Sequence, residues 1–123
     1  MSEIKQVGVR RAQKEKLYYK EISKLFLQIL TDDRKLDGLY INGVKLSPDK
    51  SVCYILFFSD KGQDDFQERL PDLILYKPSL RKALSQNIQS RYTPELKFKY
   101  DAQFEKQLKI ENLFDRLKVE NKL

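Results

Sequence analysis

Apolar residues recur at three- and four-residue spacing along the first quarter of the chain. Tyr18, Ile22, Leu25, Phe26 and Ile29 form one stripe, while Arg10, Arg11, Lys14, Lys16, Lys20 and Lys24 fall largely outside it. That period predicts an amphipathic helix over 10–30. TDDRKLDG then supplies turn formers and a glycine that end it. Beyond it the pattern changes. LYINGVKL (39–46) and VCYILFF (52–58) are dominated by β-branched and aromatic residues and predict two strands, paired as an antiparallel hairpin across SPDK. The second is apolar on both faces, which suggests a central or doubly covered strand. Gly43 inside the first hints at a bulge or a close backbone approach.

The second half opens with SDKGQDD, in which Asp64 or Asp65 is placed to cap a helix beginning near Phe66. Leu70, Leu73 and Ile74 give this helix its apolar side. Pro71 fits only an early turn or a distortion, and Pro78 interrupts the helix. A second helix resumes at Ser79, a good N-cap, with Leu80, Ala83, Leu84 and Ile88 on its buried side. The unit reads as helix, kink at Tyr76-Lys77-Pro78, helix. Pro94 pushes Thr93 into extended geometry. In ELKFKY (95–100) Leu96, Phe98 and Tyr100 alternate with Lys97 and Lys99, the pattern of a half-buried strand. A last helix over 102–118 carries Phe104, Leu108, Leu113, Phe114 and Leu117. The order predicts an α+β fold: a small three-stranded sheet with helices on one face. The helical crossover allows the third strand to run parallel to one strand of the hairpin, right-handed by the usual rule. One domain over 1–123 is expected, with its ordered core at about 8–118.

Composition narrows the function. The net charge is +6 with 34% charged residues, an excess that favours a polyanionic partner, nucleic acid or an anionic membrane surface. There is one cysteine and no histidine. No internal disulfide can form, and a reducing, cytoplasmic location is expected. The commonest general base and metal ligand is missing, and Cys53 lacks the usual partner that would activate it. No phosphate-binding glycine motif occurs. The inventory argues against an enzyme, and no cofactor, metal or small-molecule substrate is expected. The apolar run around Cys53 is too short to span a bilayer, the N-terminal residues carry no apolar signal segment, and no membrane role is expected.

The positive charge is concentrated. Between Lys77 and Lys99 stand Lys77, Arg81, Lys82, Arg91, Lys97 and Lys99 against a single acid, Glu95, a local net of +5. A solvated face ordinarily mixes both signs, so a surface that tracks phosphates is the favoured reading. Lysines that blunt an exposed edge strand are the alternative. A helix restarting at Ser79 would aim free N–H groups and its positive dipole end outward beside Lys77, Arg81 and Lys82. Tyr76 can stack on a base or close the core.

Three segments resemble one family. The first is the opening helix with Asp33-Arg34 behind it. The second is NGVKLSPD (42–49), with Val44, Leu46, Ser47 and Asp49 in the family's turn pattern. The third and most specific is LRKALSQNIQSRYTPELKFKYD (80–101). Together, over about 4–118, they resemble the ribosome-binding factor A family of bacterial small-subunit assembly factors. The resemblance implies a type II KH-like fold without the GxxG loop of other KH domains. Where the family has Ala-x-Gly between its central helices, this chain has Tyr76-Lys77-Pro78. It further implies a non-catalytic factor that binds the free or immature 30S subunit near its neck and contacts 16S rRNA; nothing in the chain demands an oligomer, and a monomer is expected. Such a factor assists late maturation around the rRNA 5′ end and matters for growth in the cold. Arg10, Arg11, Lys14, Lys77, Arg81, Lys82, Arg91, Lys97 and Lys99 are the expected RNA contacts. A general single-stranded RNA-binding module, or a protein-interaction domain using the third strand's edge, are the competing readings.

Overall fold

The computed structural model describes residues 2–119 of the chain, with side chains from Arg10 onward. α1 (Ser2–Asp32) leads through a short 3-10 turn at Arg34–Leu36 into β1 (Leu39–Leu46) and β2 (Val52–Ser59). α2 (Gln63–Ile74) and α3 (Lys77–Asn87) form the crossover to β3 (Glu95–Tyr100), and α4 (Ala102–Val119) closes the described chain. The strands lie in the order β1-β2-β3, antiparallel in the first pair and parallel in the second. This is the α+β, KH-like arrangement expected from the sequence.

β2 is the central strand, which is why its sequence is apolar on both sides. Cys53, Ile55 and Phe57 are buried beneath the helices, while Val52, Tyr54, Leu56 and Phe58 are half-buried on the opposite face. The register slips between Ile41 and Gly43, so the first strand does carry its bulge. Leu96 is fully buried, and Phe98 and Tyr100 pack against the core, as the alternation of β3 requires. Phe57 is the hub: its ring centroid lies 5.5 Å from Phe26, 5.7 Å from Phe66 and 5.5 Å from Phe98. Two of these contacts are edge-on, the arrangement aromatic quadrupoles favour. From α1, Tyr18, Ile22 and Phe26 enter the same core; from α2 and α3 come Phe66, Leu73, Leu80 and Leu84. Glu15 on α1 accepts the Leu46 N–H at 2.7 Å and so satisfies a backbone donor at the end of β1.

Four local expectations change. α1 begins at Ser2 rather than near residue 10. α2 is capped by Gly62 at φ 92°, not by Asp64 or Asp65. Only glycine takes that conformation without strain, and it starts the helix at Gln63. Asp65 instead accepts from Ser59 Oγ and pairs with Arg69 at 3.2 Å. Arg69 in turn lies 3.4 Å from where a Cβ would stand on Gly38, a second left-handed glycine. Pro71 sits inside α2 rather than in its first turn. α3 begins at Lys77, with Pro78 in its first turn and Tyr76 as the N-cap, so Ser79 is helical and caps nothing. Fixed φ makes proline compatible with a first turn. The bend therefore falls at Leu75-Tyr76, between α2 and α3.

α4 buries none of its described residues: Ile110, Leu113 and Phe114 are each more than half exposed. Its anchor is Phe104, edge-on to Phe58 at 5.0 Å. No helix among the described residues is long and apolar enough to cross a membrane.

Candidate nucleic-acid interface

The fold divides the expected cations into two groups. In the first, the outer edge of β3 meets the start of α3. Lys77, Lys97 and Lys99 line one shallow groove with Leu70, Ile74, Glu95 and Phe98, and Lys77 and Arg81 line its continuation with Pro78, Glu95 and Leu96. β3 supplies Lys97 and Lys99 because its alternation turns Leu96 and Phe98 inward and the lysines outward. α3 supplies Lys77 and Arg81, four residues apart and therefore on one helix face. Lys77 Nζ lies 5.3 Å from the Phe98 ring centroid, a cation–π contact that holds it over the groove. Arg81 is partly committed elsewhere: it donates to the Pro94 carbonyl at 3.3 Å and the Thr93 carbonyl at 3.2 Å. It therefore steadies the loop entering β3 while adding charge to the groove.

The second group lies around a cup between α1, the β1–β2 turn and the loop before β3. Lys14 and Arg91 line it with Lys50, Tyr18, Ser90 and Tyr92. Lys14 Nζ donates to Ser90 Oγ at 3.2 Å, and Arg91 lies 5.6 Å from the ring centroid of exposed Tyr92. Asp49 adds one acid, and burial raises the Tyr18 hydroxyl above its ordinary range. Arg10 precedes Lys14 by one helical turn and Arg11 by three residues, so both extend this group along α1. Lys82, exposed on α3, lines neither depression. Among the described residues, none of these cations is held in an ion pair, and their charge is available to a ligand.

Tyr76 is not a free stacking platform. It packs against the core, and its hydroxyl donates to Asp33 Oδ2 at 2.8 Å. That bond raises the tyrosine and lowers the aspartate from their ordinary ranges. It also ties the bend between α2 and α3 to the end of α1. The start of α3 is a poorer anion site than the sequence suggests. Pro78 removes one first-turn donor, and the Leu80 N–H already bonds the Tyr76 carbonyl at 2.9 Å.

Sequence reasoning misses Lys50 because it lies in a turn outside the one-signed segment. Its φ of 62° is the only positive value at a non-glycine residue among those described, and its place in the SPDKS turn is the available signal. No group of three or more His, Cys, Asp or Glu side chains among the described residues is arranged to hold a metal.

The sequence model of the family described as ribosome-binding factor A matches residues 10–114. The ribosome-binding factor A of Citrifermentans bemidjiense is 30% identical over 99 residues, 80% of this chain and 82% of that protein. That of Prochlorococcus marinus is 32% identical over 113 residues, 91% of this chain and 87% of that protein. The crystal structure of ribosome-binding factor A from Thermus thermophilus superposes with a TM-score of 0.63 at 22% identity, covering 73% of this chain and 94% of that one. The fold, the sequence match over both cation groups and the length shared with these relatives place the chain in one family: it belongs to ribosome-binding factor A.

Proposed function

We propose that this chain acts as one domain, without catalysis and as a monomer. In the cytoplasm it binds the free or immature 30S subunit through 16S rRNA and assists late maturation at the rRNA 5′ end. It supports growth in the cold. One observation carries this reading beyond family membership: Lys77, Arg81, Lys97 and Lys99 converge on one groove with Glu95 as its single acid. A phosphate backbone neutralises such a row, and the gain comes largely from released counterions. Arg10, Arg11, Lys14 and Arg91 supply a second strip, and Lys82 adds to the field between. A rigid basic wedge shifts rRNA folding only by binding one conformation better than another. The mechanism therefore requires tighter binding to immature than to mature subunits.

Sucrose-gradient fractionation of a lysate tests the reading. The protein is expected to co-migrate with free small subunits and to be depleted from 70S particles and polysomes. Recovery only at the top of the gradient would sink it.

A further inference from the structure

The sheet face turned away from the helices has an organisation that the groove at β3 does not use. Cross-strand register sets its side chains in rows. Lys45, Tyr54 and Lys97 stand side by side across the three strands; Gly43, Leu56 and Lys99 make the next row, and Tyr40 stands beside Phe58 in the one after. The middle strand thus presents Tyr54, Leu56 and Phe58 in a line, between lysines on both neighbouring strands. Tyr40 is 53% exposed, and Lys45, Lys97 and Lys99 are exposed. Phe104 covers part of Phe58, and Tyr54 further along β2 is half-buried. Two acids bound the face. Glu95 lies in the row beyond Lys97, and Asp101 follows β3, where it accepts from Asn42 Nδ2 at 2.8 Å.

An apolar stripe edged by lysines suits one kind of occupant. An apolar protein surface laid here would desolvate three unpaired ammonium groups, which costs more than the stripe returns. Unpaired nucleotides satisfy both features at once, with flat bases for the aromatic rings and phosphates for the lysines. Strands about 4.8 Å apart put the outer two roughly 10 Å apart, room for one nucleotide strand along β2. In the free protein Lys99 Nζ lies 4.4 Å from the Tyr54 ring centroid, so the cation occupies the face a base would take.

We propose that the open sheet face binds unpaired RNA, with bases stacked on Tyr54 and Tyr40 and phosphates held by Lys45, Lys97 and Lys99. This rests on the reading above that the partner is rRNA, and it adds a third contact surface, specific for single strands, that shares Lys97 and Lys99 with the β3 groove.

The test uses the full chain with a fluorescein-labelled oligoadenylate and the same strand in a duplex. Tyr54→Leu, which keeps an apolar side chain in place, is expected to weaken oligoadenylate binding about 5- to 150-fold, the range for removing one aromatic stacking partner. Tyr54→Trp should restore it, and duplex binding should not respond to either change. Amide chemical shifts of the wild-type protein provide an answer independent of any variant's folding. Oligoadenylate should move Tyr54, Leu56, Lys97 and Lys99 before residues at the start of α3. Equal oligoadenylate affinity of wild type and Tyr54→Leu overturns the proposal, as does a shift map confined to α3. Absence of oligoadenylate binding with small-subunit co-migration intact overturns it too and leaves the assembly-factor reading standing. Oligoadenylate binding that responds to Tyr54 without any subunit co-migration keeps the stacking surface and removes the assembly reading.

Discussion

At the residue scale, Asp49 shows how one exposed carboxylate organises a turn. Its Oδ1 accepts from Ser47 Oγ at 2.7 Å, Ser51 Oγ at 2.8 Å and Ser51 N–H at 3.1 Å. The Ser47 bond first, then those from Ser51, lower its carboxyl from 3.8 to about 2. A folded pKa below the unfolded one means the native state binds the proton less readily. The stabilisation is therefore complete above about pH 4 and is lost as pH falls towards about 2. Asp49→Ala should lower stability in denaturant titrations at neutral pH, with a deficit that shrinks as pH falls through that window. A deficit unchanged at the acid end would refute the linkage. Cys53 is the opposite case. Burial first, then the charge of Glu15, push its thiol up to about 12. A thiol-specific disulfide reagent should label it only at the rate of unfolding. Rapid labelling of the native protein would mean that β2 opens locally.

At the element scale, neighbouring cations on α3 divide their work. Arg81 crosses to the carbonyls of Thr93 and Pro94 and pins the segment that delivers β3. Lys82 is exposed and has no such bond among the described residues. Replacing Arg81 with alanine should cost about 1 kcal/mol in thermal or chemical unfolding, the scale of a charge-assisted hydrogen bond near the surface. Lys82→Ala should change stability by less than about 0.5 kcal/mol. Equal effects of the two would show that the carbonyl contacts contribute nothing. The same pairing explains why β3 can serve as a binding edge. Its entry is fixed by Arg81, and its exit is fixed by the Asp101 N–H bond to the Phe57 carbonyl at 2.7 Å.

At the scale of the whole molecule, the charge distribution predicts how binding responds to salt. If about five phosphates are neutralised, the logarithm of the association constant should fall with the logarithm of salt at a slope near −3 to −5. Changing Lys97 and Lys99 together to serine removes two of those contacts and should flatten the slope by about 1.5 to 2. Each substitution should leave stability within about 0.5 kcal/mol, because both side chains are exposed. A flat salt response in the wild-type protein would count against any RNA partner. An unchanged slope in the variant would remove both lysines from the interface and leave them as protection for an exposed edge.

The elements were legible in the chain because hydrophobic period is a local property. Tyr18, Ile22 and Phe26 mark a helix, and Leu96, Phe98 and Tyr100 mark a strand, wherever the rest of the protein lies. The one-signed run from Lys77 to Lys99 was equally visible, and so was the family, since its markers are short strings with fixed spacing. Helix starts were less legible. Gly62 displaced the aspartate caps, and Pro78 entered a first turn, because backbone dihedrals at a junction answer to both flanking elements. Tyr76 stood between core and ligand until the fold brought Asp33, 43 residues away, to its hydroxyl. Lys45, Tyr54 and Lys97 are scattered in sequence and become one row only through strand register. The sequence by itself determined which segments fold and what sign of charge they carry. Tertiary structure alone decided which side chains share a surface, because hydrogen-bonded strand pairing and helix packing join residues that no local spacing connects.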